Sequence, residues 1–465
     1  MIKSVIYWSY QKRWLLFALL LGTLLYFLPY PKDLSPEGYR ALIITLVVVI
    51  LIISEAVPLP ATGILIAVLQ VLLGLGEPTQ VAQSYASDSV FFIMGSLMLA
   101  VAIVRQGLDA RLTLGILTVT GNRVKNIMWG FFVISVLLTS FMGEHTIVAM
   151  MLPVALTLVR NTGMDERELR ELMRLFLFAL AFGSVIGSFG TPSGGARNAI
   201  MIGYLSDFGL GQMSYLRWII FAYPLLLIQI PIGGWLLTRT FKPELDSLDS
   251  AVRKLKVQVG RTGPLSSPQM LAIALFLLIL LGWIFLSDIL GIGIIALAGV
   301  FLYLATGLVQ WTDINQRTNW GVVLLYAGAI SLGLQLKNTG AAMWMAQLVV
   351  QGAGGLLEQL AVVQYALVIS LSTLVVNIMS PSATVAVLGP MFINFGGHPV
   401  LLGMATAIAS AFGYLTAVGS SAGMIIASTG LLKPRDFLRA GWRFTLMSIG
   451  CLLLAMMFYW PLLVE

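Results

Sequence analysis

The chain has 465 residues, of which 58% are hydrophobic and only 10% charged, with a formal net charge of +7. Soluble globular domains carry about 25% charged residues, so this composition, with a mean hydropathy of +0.94, excludes a soluble protein and marks a polytopic membrane protein. The Lys and Arg excess is scattered through short loops beside apolar runs, which argues against a nucleic-acid patch, and the single cysteine, Cys451, excludes an internal disulfide.

Taken in order, a basic lead (Lys3, Lys12, Arg13) precedes an apolar run with no small-residue cleavage site, so the first helix is read as retained rather than as a signal peptide. Runs of roughly 17–25 apolar residues can cross the hydrocarbon core as helices. Eleven candidates follow: 14–30, 41–56, 60–75, 90–105, 175–203 (interrupted), 215–238, 269–288, 290–309, 321–337, 402–429 (interrupted) and 442–461. Two further stretches, 126–159 and 361–397, carry turn chemistry at mid-length and read as helical hairpins that enter and leave on one side, which is tolerated only under cover of protein or a water-filled cavity. The expected fold is an all-α polytopic membrane protein of about 11 transmembrane helices plus two re-entrant hairpins.

Loop charges set the orientation. With the N-terminus cytoplasmic, the clusters Arg105 to Lys125, Arg160 to Arg174 (including Arg167) and Lys433 to Arg443 all fall inside, as does the connection 239–268 with Arg253 and Arg261. Glu465 then lies outside. The same count makes the first hairpin open inward and the second outward, the arrangement of an inverted repeat. Matching frames support it: Met142 to Pro153 with Met379 to Pro390, Gly95 to Gly107 with Gly328 to Gly340, and Phe182-Gly183 before Gly190 with Phe412-Gly413 before Gly419. The expected organisation is residues 1–40 as N-terminal helix and external loop, 41–238 as first repeat, 239–268 as cytoplasmic linker and 269–465 as second repeat.

The chemistry concentrates at breaks. Glu144 and His145 sit together in an apolar hairpin, and a charge at membrane depth costs about 2.5–3.5 kcal/mol on insertion scales, so it is kept for a partner or a use. Interrupted helices in matching places of two inverted halves point to a transporter's substrate site. Four such breaks are expected: the two hairpin tips, Gly190 to Gly195, and Gly419 to Gly423. Free N–H groups of a restarted helix favour an anion, Ser193 offers a hydroxyl, and Arg197 either grips an anionic substrate or neutralises Glu144. His145 is either a packing residue or a titrating one, and with His398 far from any matching carboxylate a zinc site is not expected. Lys337 and Arg105 close helices, where a cation suits the C-terminal end.

At these residues the chain resembles the divalent-anion/sodium symporter family, which carries dicarboxylates, citrate or sulfate. The resemblance rests on two hairpins ten residues before a proline, the Thr191-Pro192 break after the first, and the inverted layout. It implies a homodimer in the cell inner membrane whose hairpin-bearing part moves against a fixed scaffold. It also implies a Ser-Asn-Thr tip on each hairpin that meets substrate, beside a sodium site. Here the tips read Gly143, Glu144, His145 and Ser380, Pro381, Ser382, a large departure. Substrate contact is therefore expected of Gly143, His145, Thr146, Thr191, Ser193, Arg197, Ser380, Ser382, Ser420 and Ser421. Ion coupling is expected of Glu144, His145, Gly190, Asn198, Pro381 and Gly419, with Glu144 either a sodium ligand or a proton carrier. No other cofactor is expected. The rival readings are a cation/proton antiporter, which needs a second membrane acid such as Asp207 or Asp288, and an intramembrane hydrolase using Glu144 and His145.

Overall fold

Helix boundaries fall where proline and glycine demand them. The computed structural model describes residues 12–108, 111, 115, 118–162, 169–243, 245–260, 264–352 and 361–464; Lys3, Arg167, Arg261 and Glu465 lie outside the described residues. The chain begins with α1 (Arg13–Tyr26), α2 (Pro36–Ser54), α3 (Leu59–Leu72), the short α4 (Pro78–Ser84) and α5 (Asp88–Arg105). The first hairpin is α6 (Val124–Met142) and α7 (Glu144–Arg160). Next come α8 (Arg170–Gly187), a break holding one 3-10 turn (Pro192–Gly194), α9 (Ala196–Asp207) and α10 (Tyr215–Thr240).

After α11 (Asp249–Gly260) the order repeats: α12 (Ser267–Leu290), α13 (Ile292–Ala305), the short α14 (Trp311–Arg317), α15 (Trp320–Asn338) and α16 (Ala341–Gly352). The second hairpin is α17 (Ala361–Val376) and α18 (Pro381–Ile393), followed by α19 (Pro399–Ala409), a second break, α20 (Ser421–Ser428) and α21 (Pro434–Leu454), which a π-helical turn extends to Tyr459; α22 (Pro461–Val464) ends the description. Packing follows the same exchange. Helix α5 lies on α13 while α15 lies on α3, and α20 packs on α7 and α8 while α9 packs on α18 and α19.

Among the described residues seven helices are long and apolar enough to cross a membrane: α2, α5, α6, α10, α12, α15 and α21 with its extension. The remaining apolar helices are shorter than the hydropathy runs suggest. Helix α1 stops at Tyr26, before Pro29 and Pro31, and α3 stops before Gly74 at φ +68°. Fourteen residues rise only about 21 Å, against a hydrocarbon core of about 30 Å. Helix α8 is buried along nearly its whole length, whereas α12 turns Leu277, Leu281, Phe285 and Ile289 outward, as a lipid-facing helix does.

Three expectations need correction. The connection 239–268 is not simply a polar loop: it contains α11, held to the start of the first hairpin by Val124 N donating to Asp246 O (3.0 Å) and Asn122 Nδ2 donating to Asp249 Oδ1 (2.6 Å). The second break lies further upstream than Gly419 to Gly423, beginning at Ser410, and Gly423 is already helical because Ser420 Oγ caps α20 by accepting from its N–H (2.9 Å). The second hairpin's helix ends at Ile393 rather than 397.

A Cβ on Gly413 would lie inside the backbone of Gly419, so the second break closes on itself only because both positions lack side chains. Gly413→Ala is expected to destabilise the protein by about 1–3 kcal/mol or to prevent folding. Gly450→Ala, where a Cβ meets nothing within 4 Å, should leave stability unchanged. Thermal unfolding of the detergent-purified variants measures the difference.

Candidate functional site

The first hairpin turns on a single residue. Gly143 adopts φ +79° and ψ 153°, a conformation that L side chains rarely take, so α7 can start at once with Glu144 as its first residue. The carboxylate is 5% exposed. Its Oε1 lies 3.3 Å from Arg197 Nη1, and its Oε2 accepts from Ser421 Oγ at 3.2 Å. Arg197, 2% exposed on the first turn of α9, also donates from Nη2 to Ser188 Oγ (2.5 Å). Its Nε–H is buried without a hydrogen-bond partner among the described residues. Hairpin tip, first break and second restarted helix thus meet at one ion pair.

The breaks themselves are stitched by amides. Asn198 Nδ2 donates to the Ser188 and Thr191 carbonyls (2.9 and 2.8 Å), satisfying backbone that the interruption of α8 leaves free. Thr191, Ser193 and Tyr215 close a ring of hydroxyl contacts (3.0, 2.8 and 3.0 Å), and Thr191 Oγ1 also donates to the Ser140 carbonyl. In the second half Asn377, just past α17, donates from Nδ2 to the Thr373 and Phe412 carbonyls and accepts at Oδ1 from Leu415 N–H (2.9 Å). Ser380 Oγ caps α18 by accepting from Ala383 N–H (3.4 Å), Pro381 takes the first helical position, and Ser382 Oγ donates to the Tyr326 hydroxyl (2.8 Å).

These elements enclose a cavity of about 350 Å³. The first residues of four helices line it: Glu144 of α7, Ala196 of α9, Pro381 of α18 and Ser421 of α20. Each helix N-terminus carries about half a positive charge, so the electrostatics of such a convergence favour an anion. Of the residues singled out in the sequence, Gly143, Glu144, His145, Ser193, Arg197, Ser380, Pro381, Ser382 and Ser421 line the cavity together. His145 exposes its ring there and makes no hydrogen bond or ion pair among the described residues.

Six expected residues stand off the lining. Thr146 is half-buried on α7, behind the tip. Thr191 is consumed by the hydroxyl ring, Asn198 by backbone carbonyls, and Ser420 by its cap. Gly190 and Gly419 serve close packing: a Cβ on Gly190 would sit 2.8 Å from Leu226 and Ser140 side chains, and Gly419 abuts Gly413. Glu144 as a sodium ligand is a poor fit, because Arg197 already supplies its counter-charge. Among the described residues no group of three or more His, Cys, Asp or Glu could hold a metal ion. Sequence reading missed Tyr326 and Asn377. Asn377 had a signal, being the single side-chain amide between Gln364 and Asn394.

Breaking a buried pair leaves an uncompensated charge, which costs about 3–5 kcal/mol, while replacing both partners is often neutral. Arg197→Ala is therefore expected to lower stability by that order, and Arg197→Met combined with Glu144→Leu to restore most of it. Comparison of the two unfolding midpoints tests this; equal losses in both would mean that packing, not charge, is what the site needs.

The chain is 24% identical over 479 residues to the sodium-dependent dicarboxylate transporter SdcS of Staphylococcus saprophyticus, covering 96% of this chain and 91% of that one. The SdcS proteins of Staphylococcus aureus strains are 25% identical over the same coverage. The solved Alcanivorax borkumensis YdaH transporter shares the fold, with a TM-score of 0.56 over 83% of this chain and 88% of that one at 16% identity. Residues 10–465 match the family described as the sodium:sulfate symporter transmembrane region, and the chain belongs to that family.

Proposed function

We propose that the chain moves a small divalent anion, a dicarboxylate or sulfate, held in the cavity between the two hairpin tips and driven by the sodium gradient. It is a secondary transporter of small anions rather than an enzyme, as its family is. The observation that carries the substrate site is the convergence of four helix N-termini on a cavity that also holds Arg197 and the hydroxyls of Ser193, Ser380, Ser382 and Ser421. About 350 Å³ suits a small solute, at the lower end of the roughly 300–1,000 Å³ typical of small-molecule pockets. Sodium coupling is supported by the family and by the names of the staphylococcal relatives.

The two rivals are less well supported. Among the described residues Glu144 is the sole carboxylate on the cavity wall, while Asp207 and Asp288 line a separate cavity with Asp88, so the described lining offers an antiporter no second acid here. A hydrolase needs a nucleophile bonded to its base, and Ser382 is bonded to Tyr326, not to His145. The wider reading is an inverted repeat, residues 41–238 and 269–465, in which the first hairpin opens to the cytoplasm and the second outward. In it the hairpin-bearing part moves against a scaffold in a homodimer of the cell inner membrane, with a cytoplasmic N-terminus and an external C-terminus. The repeated helix order and reciprocal packing support it.

Proteoliposomes should accumulate labelled succinate or sulfate under an inward sodium gradient, and Ser382→Ala should weaken anion binding by about 0.5–1.5 kcal/mol for the lost hydrogen bond. Uptake indifferent to sodium removes the coupling, and wild-type affinity in Ser382→Ala removes this serine from the site. For topology, cysteines introduced at Asn161 and Asn394, with Cys451 replaced, should be labelled by impermeant reagents from opposite faces. Labelling of both from one face contradicts the repeat.

A further inference from the structure

Resting on the anion-carrier reading, we propose that Glu144 is a resident stand-in for the acid group of the substrate: its carboxylate occupies Arg197 while the carrier is empty, and the incoming anion displaces it. Three observations lead there. Glu144 approaches the guanidinium through one oxygen only, at 3.3 Å, rather than as a two-pronged pair. Arg197 lines the cavity with its Nε–H buried and unpartnered, so the cation has donor capacity that Glu144 does not use. Glu144 also has somewhere to go: it heads α7, whose first-turn N–H groups favour a carboxylate, and Ser421 Oγ already holds its second oxygen.

The exchange has a purpose in the transport cycle. A carrier that takes up solute against no counter-substrate must return empty, and an empty site with a lone buried guanidinium would carry an uncompensated charge through an apolar surround. With Glu144 on Arg197 the empty site is neutral, so the return is permitted. When an anion is bound, it takes over Arg197, Glu144 stays on Ser421 and the α7 N-terminus, and the co-transported sodium balances the added negative charge. In an exchange cycle the carrier never returns empty, and there Glu144 acts only as a competitor for Arg197. Net uptake and exchange therefore depend on this carboxylate in opposite senses.

Glu144→Gln separates them. Sulfate binding to the purified variant should tighten about tenfold or more, since its internal competitor is gone. In proteoliposomes the ratio of net uptake into anion-free vesicles to exchange against internal sulfate should fall tenfold or more. The double variant Glu144→Gln with Arg197→Gln has no buried charge. It should regain the wild-type ratio while binding sulfate at least tenfold more weakly, and it covers the case in which the single variant fails to fold. Weaker sulfate binding in Glu144→Gln, an unchanged ratio in it, or a double variant that folds without regaining the ratio overturns the proposal and leaves the anion carrier standing. A wild-type protein that neither binds nor exchanges sulfate or succinate overturns the carrier reading, and this proposal with it.

Discussion

A helix broken in an apolar interior must find new partners for the backbone groups it frees, since no bulk water reaches them. Each break in this chain meets that constraint in part with a side-chain amide, helped at the first by Ser140 and Trp218 and at the second by Thr416, and the architecture of the site follows. Asn198 reaches back from α9 to the carbonyls of Ser188 and Thr191, holding the first break closed. Asn377 does the same for the second from outside it, bonding Phe412 and Leu415 from the hairpin tip. With the carbonyl ends so occupied, the N-terminal ends are the ones left facing the cavity. Four helix starts thereby line one volume, an arrangement whose dipoles favour negative charge.

The two halves share this frame but divide the chemistry. The first hairpin contributes charge: Glu144 bound to Arg197, with His145 beside it. The second contributes neutral groups: Ser380 and Pro381 shape the start of α18, and Ser382 donates to Tyr326. Crossed packing brings them together, because α20 of the second half lies on α7 of the first and supplies Ser421 to Glu144. A movement that separates α20 from α7 would therefore disturb the ion pair.

What the sequence made legible was local. Gly143 at a predicted turn, Pro192 and Gly194 in a run otherwise fit for helix, and the eleven-residue frames ending at Pro153 and Pro390 all act through backbone preferences that need no tertiary information. Glu144 and Arg197 were legible for a different reason: charge in apolar sequence is costly, so each implied a partner, and each is the other's. Tyr326 escaped because an aromatic in a membrane helix has no distinguishing local signal, and Asn377 because a lone amide, even the single one of its stretch, does not say which backbone it will bond. Tyr326 matters through Ser382, 56 residues away, and Asn377 through Phe412, 35 away. Thr146 failed in the other direction. Its hydroxyl suggested a ligand, yet two residues beyond Glu144 on a helix it faces away from the cavity that Glu144 lines.

The charge balance of the site bears on coupling. Arg197 and Glu144 cancel, and the second hairpin tip adds no fixed charge, so the side chains of the empty cavity offer a dianion nothing net. Four helix N-termini at about half a charge each supply a nominal total of about +2, but as dipole ends whose opposite poles lie within the same helices, so their field weakens quickly with distance. They can hold a dianion where it sits; they cannot neutralise its passage. Charge that travels with the anion must be mobile, and in a family of sodium symporters the mobile charge is sodium. A fixed guanidinium already balanced by its own carboxylate leaves that requirement in place, which is why a charged hairpin tip is compatible with sodium-driven transport.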